Sequence, residues 1–304
     1  MERRSFLLKT GIAGMLLGLG ESLEAQTDIL PSEPPFKMNF APHLGMFKHL
    51  AGDDPIDQLH FMADQGFRSF EDNGMKGREV ALQEKMASVM QERNLQMGVF
   101  VAHKIYWREA NLASGKEDWR KEFLSDIESS VEVARRVNAK WMTVVPGHVD
   151  LRKDMGYQTA NVIESLKRAC AILEPHGVTM VLEPLNFRDH PGLFLTKIAQ
   201  AFQICQAVNS PSCKILFDIY HQQIQEGNII PNIDLAWDEI AYFQIGDNPG
   251  RKEPTTGEIN YKNVFQHIND KGFEGILGME HGNFSKGKEG EQAVIDAYRS
   301  VDVD

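Results

Sequence analysis

Four short apolar runs each end in a side chain that offers oxygen. They are Val178-Thr-Met-Val-Leu-Glu183, Cys213-Lys-Ile-Leu-Phe-Asp218, Ile240-Ala-Tyr-Phe-Gln244 and Gly275-Ile-Leu-Gly-Met-Glu280. Apolar runs of this length, bounded by turn residues, read as buried parallel strands. Three carboxylates and one amide brought together at neighbouring strand ends repel one another unless a cation lies among them. All four are hard oxygen donors, which suits Mg²⁺ or Mn²⁺, with Co²⁺ and Zn²⁺ as further candidates. A single divalent ion held by Glu183, Asp218, Gln244 and Glu280 is therefore expected.

Holding those groups in register requires a repeating scaffold. Apolar runs recur at 38–43, 67–71, 95–103, 140–146, 178–184, 214–218, 240–246 and 273–280, and amphipathic stretches separate them. In the stretch 158–174, Val162, Ile163, Leu166, Ala169, Cys170 and Leu173 fall at helical spacing, with His176-Gly177 as a stop. Stretches 79–93, 119–137 and 195–208 behave alike, and Asn260 is placed to cap a helix running through Ile268. Eight strand-helix alternations predict a single-domain α/β protein of the (β/α)8 TIM-barrel class rather than a doubly wound sheet. The active face of such a barrel is the C-terminal end of its strands. His43, Glu71-Asp72, His103, His148, Glu183, Asp218, Gln244 and Glu280-His281 all fall at or just past predicted strand ends.

Three segments make the pattern more specific. They are Leu182-Glu183-Pro184-Leu-Asn186-Phe-Arg188-Asp189-His-Pro-Gly192, Phe217-Asp218-Ile219-Tyr220-His221, and Gln244-Ile-Gly-Asp-Asn-Pro249-Gly250-Arg251-Lys-Glu-Pro-Thr-Thr-Gly257-Glu258-Ile-Asn260-Tyr261. Together they resemble the hydroxypyruvate isomerase family, one of the xylose-isomerase-like barrels, over roughly residues 38–300. The resemblance implies a metal on Glu183, Asp218, Gln244 and Glu280, with Glu183 and Glu280 also serving as the acid-base pair. It implies that His221 and Arg251 contact the substrate. Asp189, within the first segment, and His103, at the end of the third strand, are further candidate substrate contacts. The end of that strand, Val101-Ala102-His103-Lys104, departs from the asparagine-bearing segment usual in the family. Gln244 favours the isomerase branch, because the related sugar epimerases usually carry histidine there. The implied reaction interconverts a small 2-hydroxy aldehyde and ketone, a keto acid or a sugar, by proton transfer through an enediolate. The alternatives are a ketose 3-epimerase or keto-sugar lyase on the same site, an abasic-site nuclease, and a non-catalytic sugar-binding protein.

The composition fits an enzyme of small molecules. The chain has 304 residues, 42% hydrophobic and 25% charged, with a formal net charge of −11. That charge repels phosphate backbones and anionic membranes, so nucleic acid is not an expected partner. Cys170, Cys205 and Cys213 form no C-x-x-C pair and are expected as buried thiols. At the amino terminus, Glu2-Arg3-Arg4-Ser5-Phe6-Leu7-Leu8-Lys9 resembles a twin-arginine export signal. The apolar stretch that follows, 10–20, is too short for a stable membrane anchor. The expected organisation is an export signal over 1–26, a linker over 27–37 and the barrel over 38–304. Expected partners are the twin-arginine translocation machinery and a small substrate, with a periplasmic or otherwise exported location. A homo-oligomer is compatible with this reading.

Overall fold

The structure is a computed structural model, and it describes residues 33–303. The expected export signal (1–26) and the first part of the linker lie outside the described residues. Within the remainder of that linker, Phe36 is buried and stacks on Phe67 with ring centroids 4.5 Å apart. The Phe36 N–H donates to the Gly66 carbonyl at 3.1 Å.

Eight parallel strands appear where the apolar runs predict them: β1 (Phe40–Pro42), β2 (Ser69–Phe70), β3 (Gln96–Met97), β4 (Trp141–Val144), β5 (Thr179–Leu182), β6 (Cys213–Asp218), β7 (Ile240–Gln244) and β8 (Leu277–Met279). Helices alternate with them: α1 (Lys48–Ala51), α2 (Pro55–Asp64), α3 (Val80–Arg93), α4 (Glu117–Val137), α5 (Met155–Leu173), α6 (Ile198–Val208), α7 (Ile219–Gln225), α8 (Ile229–Ala236), α9 (Tyr261–Asp270) and α10 (Gly287–Val301). Six strands pair in the order β1-β8-β7-β6-β5-β4, and β2 pairs with β3. Parallel bridges His43–Glu71 and Val101–Thr143 join the two ladders, closing the ring. The protein is a TIM barrel.

Local chemistry sets the helix boundaries. Asp54, Asp154 and Asn260 accept from backbone N–H groups at the starts of α2, α5 and α9. Asn94, Asn138 and Asn209 end α3, α4 and α6 in the left-handed conformation. Helix α5 begins at Met155, a few residues before its apolar periodicity is visible, because Asp154 supplies the cap. Among the described residues no helix is long and apolar enough to cross a membrane. All three cysteines are free and buried.

The strand period of two decides what faces the barrel axis. Ala41, Val99, Val181, Leu216, Tyr242 and Ile276 form one compact cluster, the interior layer of the barrel. Their neighbours Phe40, Met180, Leu182, Phe217, Phe243 and Leu277 belong to the larger core packed beneath the helices. Continuing each strand in phase, Glu183 follows Val181 by two residues, Asp218 follows Leu216 by two and Gln244 follows Tyr242 by two. Glu280 follows Ile276 by four. All four are therefore in phase with the inward-facing residues, Glu183, Asp218 and Gln244 one layer above an apolar plug and Glu280 one layer higher.

Candidate metal and active site

Three of the four sequence-predicted donors, Glu183, Asp218 and Glu280, lie together. Donor atoms of Glu183, Asp218, His221 and Glu280 lie within 4.8 Å of one another. Gln244 stands directly opposite Asp218 in the β6–β7 register. Asp218 also starts α7, where its Oδ1 accepts the His221 N–H at 3.1 Å, so one carboxylate ends a strand and caps a helix. That cap turns the His221 ring back over the same site.

Two atoms of this cluster test whether a cation suits it. Asp218 Oδ2 and Gln244 Oε1 are buried and have no hydrogen-bond partner. Buried polar atoms are normally satisfied, and leaving one bare costs about 1–3 kcal/mol. Two bare oxygens beside two further carboxylates match the coordination chemistry of a hard divalent ion. The electrostatics agree. Burial, followed by the charges of Glu280 and Asp218, drives the Glu183 carboxyl well above the usual carboxylate range. Burial raises Asp218 as well. A cation would reverse both effects.

Arg251 supplies the positive charge present among these groups. Its Nη2 lies 2.5 Å from Glu280 Oε2 and 3.6 Å from Asp218 Oδ2, and its guanidinium lies 4.9 Å from the centre of the Tyr220 ring. The loop carrying it is folded around Asp247, whose carboxylate accepts from the N–H groups of Asn248, Gly257 and Ile259. His221 is fully buried. Its Nδ1 accepts from Asn186 Nδ2 at 2.6 Å, and its Nε2 lies 3.3 Å from Arg251 Nη2, 3.6 Å from Asp218 Oδ2 and 3.9 Å from Glu183 Oε1. Burial, then Arg251, lowers its pKa to about 3, so the ring is neutral.

Two of the sequence-predicted substrate contacts are placed elsewhere. His103 spends both ring nitrogens on backbone: Nδ1 donates to the Lys104 carbonyl at 2.9 Å, and Nε2 accepts the Val145 N–H at 3.2 Å. It ties the end of β3 to the end of β4 and keeps no free nitrogen for a substrate. Burial lowers its pKa to about 4. Asp189 is exposed on the loop after β5. Its Oδ2 accepts from Asn186 Nδ2 at 3.0 Å and Tyr220 OH at 2.9 Å, so it braces His221 through Asn186. Asn73, Asn186 and Tyr220 escaped the sequence reading. Asn73 Nδ2 donates to Glu280 Oε1 at 2.8 Å. Asn186 and Tyr220 lay inside quoted segments, yet no spacing rule marks a neutral side chain as a brace.

A cavity of about 640 Å³ opens beside Glu280 and Arg251, lined also by His43, Met46, Lys48 and Asn283. Of the acidic cluster, Glu280 lines this cavity, whereas Glu183, Asp218 and Gln244 do not.

Residues 59–301 match the Xylose isomerase-like TIM barrel model, and the chain belongs to that family. Among curated proteins it is 32% identical over 167 residues to the hydroxypyruvate isomerase of Escherichia coli (strain K12), covering 55% of this chain and 64% of that protein. It is 32% identical over 160 residues to the 2-oxo-tetronate isomerase of Cupriavidus necator, covering 53% and 62%. The chain thus spans somewhat less than two thirds of the length of these two relatives. An AP endonuclease, family 2, from Brucella melitensis has a solved structure that superposes with a TM-score of 0.73. It shares 24% identity, with 83% of this chain and 96% of that one covered. At that identity the likeness establishes the fold alone.

Proposed function

We propose that this protein is a metal-dependent isomerase that moves a carbonyl along a small 2-hydroxy carbonyl acid. Hydroxypyruvate and 2-oxo-tetronate, named for its relatives, are the first substrates to try. The observation that carries the reading is the pair of bare buried oxygens, Asp218 Oδ2 and Gln244 Oε1, standing with the Glu183 and Glu280 carboxylates. Glu183, Asp218, Gln244 and Glu280 would hold a divalent ion, whose Lewis acidity would ease loss of the proton from the hydroxyl-bearing carbon beside the carbonyl. Of the two glutamates, one takes that proton from carbon and the other returns a proton at the adjacent carbon. His221, held by Asn186 with its Nε2 beside Arg251 and the carboxylates, makes a hydrogen bond with the substrate. Arg251, at the cavity mouth, forks the substrate carboxylate.

The test is a panel of keto acids and ketoses incubated in D₂O with Mg²⁺ or Mn²⁺ and followed by NMR. Isomerisation with deuterium at the reacting carbon is expected, and chelation should abolish it. Turnover by a protein stripped of metal would overturn the reading. A second reading, epimerisation of a keto sugar, draws support from the cavity, whose volume exceeds that of a three-carbon acid. The same panel separates the two, because an epimer rather than an aldose-ketose pair would accumulate.

Export belongs to the proposal. Arg3 and Arg4 precede a short apolar run, and the mature protein should begin near Gln26. Replacing both arginines with lysine should retain the protein in the cytoplasm. Undiminished periplasmic accumulation of that variant would remove the twin-arginine route.

A further inference from the structure

Glu71 ends β2, outside the donor set, and its side chain is fully buried. A buried carboxylate is costly unless it is hydrogen-bonded. This one is held on three sides. Oε2 accepts from Tyr242 OH at 2.8 Å, Oε1 accepts from Gln244 Nε2 at 2.8 Å, and His43 Nε2 lies 2.7 Å from Oε1. The barrel makes room for it. A Cβ at Gly278 would lie 1.9 Å from Glu71 Oε2, and a Cβ at Gly98 would lie 2.4 Å from Tyr242 OH. Gly278 in β8 and Gly98 just past β3 thus stand where this carboxylate and its tyrosine partner cross the barrel interior. Glu71 also stands with His43 and Glu280 in a second group whose donor atoms lie within 4.8 Å of one another, but its two oxygens already accept from Tyr242 and Gln244.

The consequence falls on Gln244. An amide can present either its oxygen or its nitrogen in a given direction, and the two orientations are nearly equal in shape. Only the oxygen can hold a cation. An ionised carboxylate is an acceptor only, so it accepts the amide NH₂ and repels the amide oxygen. Glu71 therefore fixes Nε2 on its own side and turns Oε1 away, where Oε1 stands buried without a partner. We infer that Glu71 is a positioning residue that sets the polarity of the Gln244 amide and so makes position 244 a metal ligand. This rests on the metal reading above. It also gives a reason for an amide at the end of β7: the NH₂ holds the buried carboxylate while the oxygen serves the cation.

The test is Mn²⁺ affinity, measured by titration calorimetry on the full protein after stripping of metal, alongside its melting temperature. Glu71→Gln keeps the shape but offers an NH₂ of its own, so the Gln244 amide is free to turn over. The folded variant should bind Mn²⁺ about 10- to 100-fold more weakly, the usual loss when a ligand's orienting partner is removed. The exchanged pair Glu71→Gln with Gln244→Glu restores a carboxylate-amide hydrogen bond. It gives position 244 two equivalent oxygens, so it should recover most of the lost affinity. A merely structural role for Glu71 would shift melting without this loss and rescue. Equal affinity of parent and Glu71→Gln overturns the orienting role alone. Absence of Mn²⁺ binding by the parent overturns the metal reading, and the orienting role with it. Should Glu71→Gln not fold, the exchanged pair carries the test, and a folded exchanged pair that has lost Mn²⁺ overturns the inference.

Discussion

The two halves of the barrel use strand-end polar residues in opposite ways. At the ends of β5 to β8, Glu183, Asp218, Gln244 and Glu280 crowd together, and two of their oxygens have no partner. At the ends of β1 to β3, His43 and Glu71 face each other and His103 is bound to two backbone groups. The ladders differ too. β4 to β8 lie in one continuous sheet with β1, whereas β2 and β3 are two-residue strands joined to the rest only by single bridges. Where backbone pairing is sparse, side chains take over the closing of the ring. A strand-end histidine or acid is therefore not in itself a site residue; what its oxygens or nitrogens already hold decides.

The comparison is broken most sharply by neutralising the crowded half. Glu183→Gln and Glu280→Gln should each lower kcat by about 10²–10⁴ through loss of acid-base catalysis, and by more where metal is lost as well. Glu183 is held above the usual carboxylate range by burial and by its neighbours' charges. Removing its charge should therefore leave the melting temperature of the metal-free protein unchanged or raise it. A fall of several degrees in the metal-free protein would mean that these acids hold the fold together.

A smaller effect is expected from Arg251→Ala. Its guanidinium touches Glu280 now and would meet the substrate carboxylate later. A charged hydrogen bond of this kind is worth about 1.5–3 kcal/mol, so KM should rise roughly 10- to 100-fold with a lesser change in kcat. A pure kcat loss would instead place Arg251 in the chemical step. Steady-state kinetics on the better of the two keto acids decides between these outcomes.

The barrel and the crowded half were legible in the sequence because both follow from period. Apolar runs with a donor in phase two or four residues beyond the inward-facing residue place Glu183, Asp218, Gln244 and Glu280 without any knowledge of contacts. The other half was not legible, because its meaning lies in pairing between residues far apart in the chain. Glu71 meets Tyr242 and Gln244 more than 170 positions away. His103 meets a backbone N–H on the next strand, which no spacing announces. Asp189 sits inside a segment that resembles the family, and only its bonds to Asn186 and Tyr220 show it to be a brace.

The smallest expected effect on activity is at His103, and it sharpens the comparison from the other side. A buried histidine committed to backbone should matter to stability and leave turnover within about twofold. Burial lowers its pKa to about 4, whereas an exposed histidine titrates near 6.5. Above pH 6.5 the ring is neutral in both folded and unfolded chains, and the favourable burial is fully present. As pH falls from 6.5 towards 4, the unfolded chain takes up a proton that the folded chain refuses, so stability is lost across that window. The loss attributable to this one group is up to about 3 kcal/mol. His103→Asn retains an amide able to reach the Lys104 carbonyl but cannot titrate. Its stability, followed by urea unfolding, should decline less steeply than the parent's between pH 6.5 and 4.5. Parallel curves for the two proteins would show that the His103 ring is accessible to protons in the fold, and would return it to the list of groups available to a substrate.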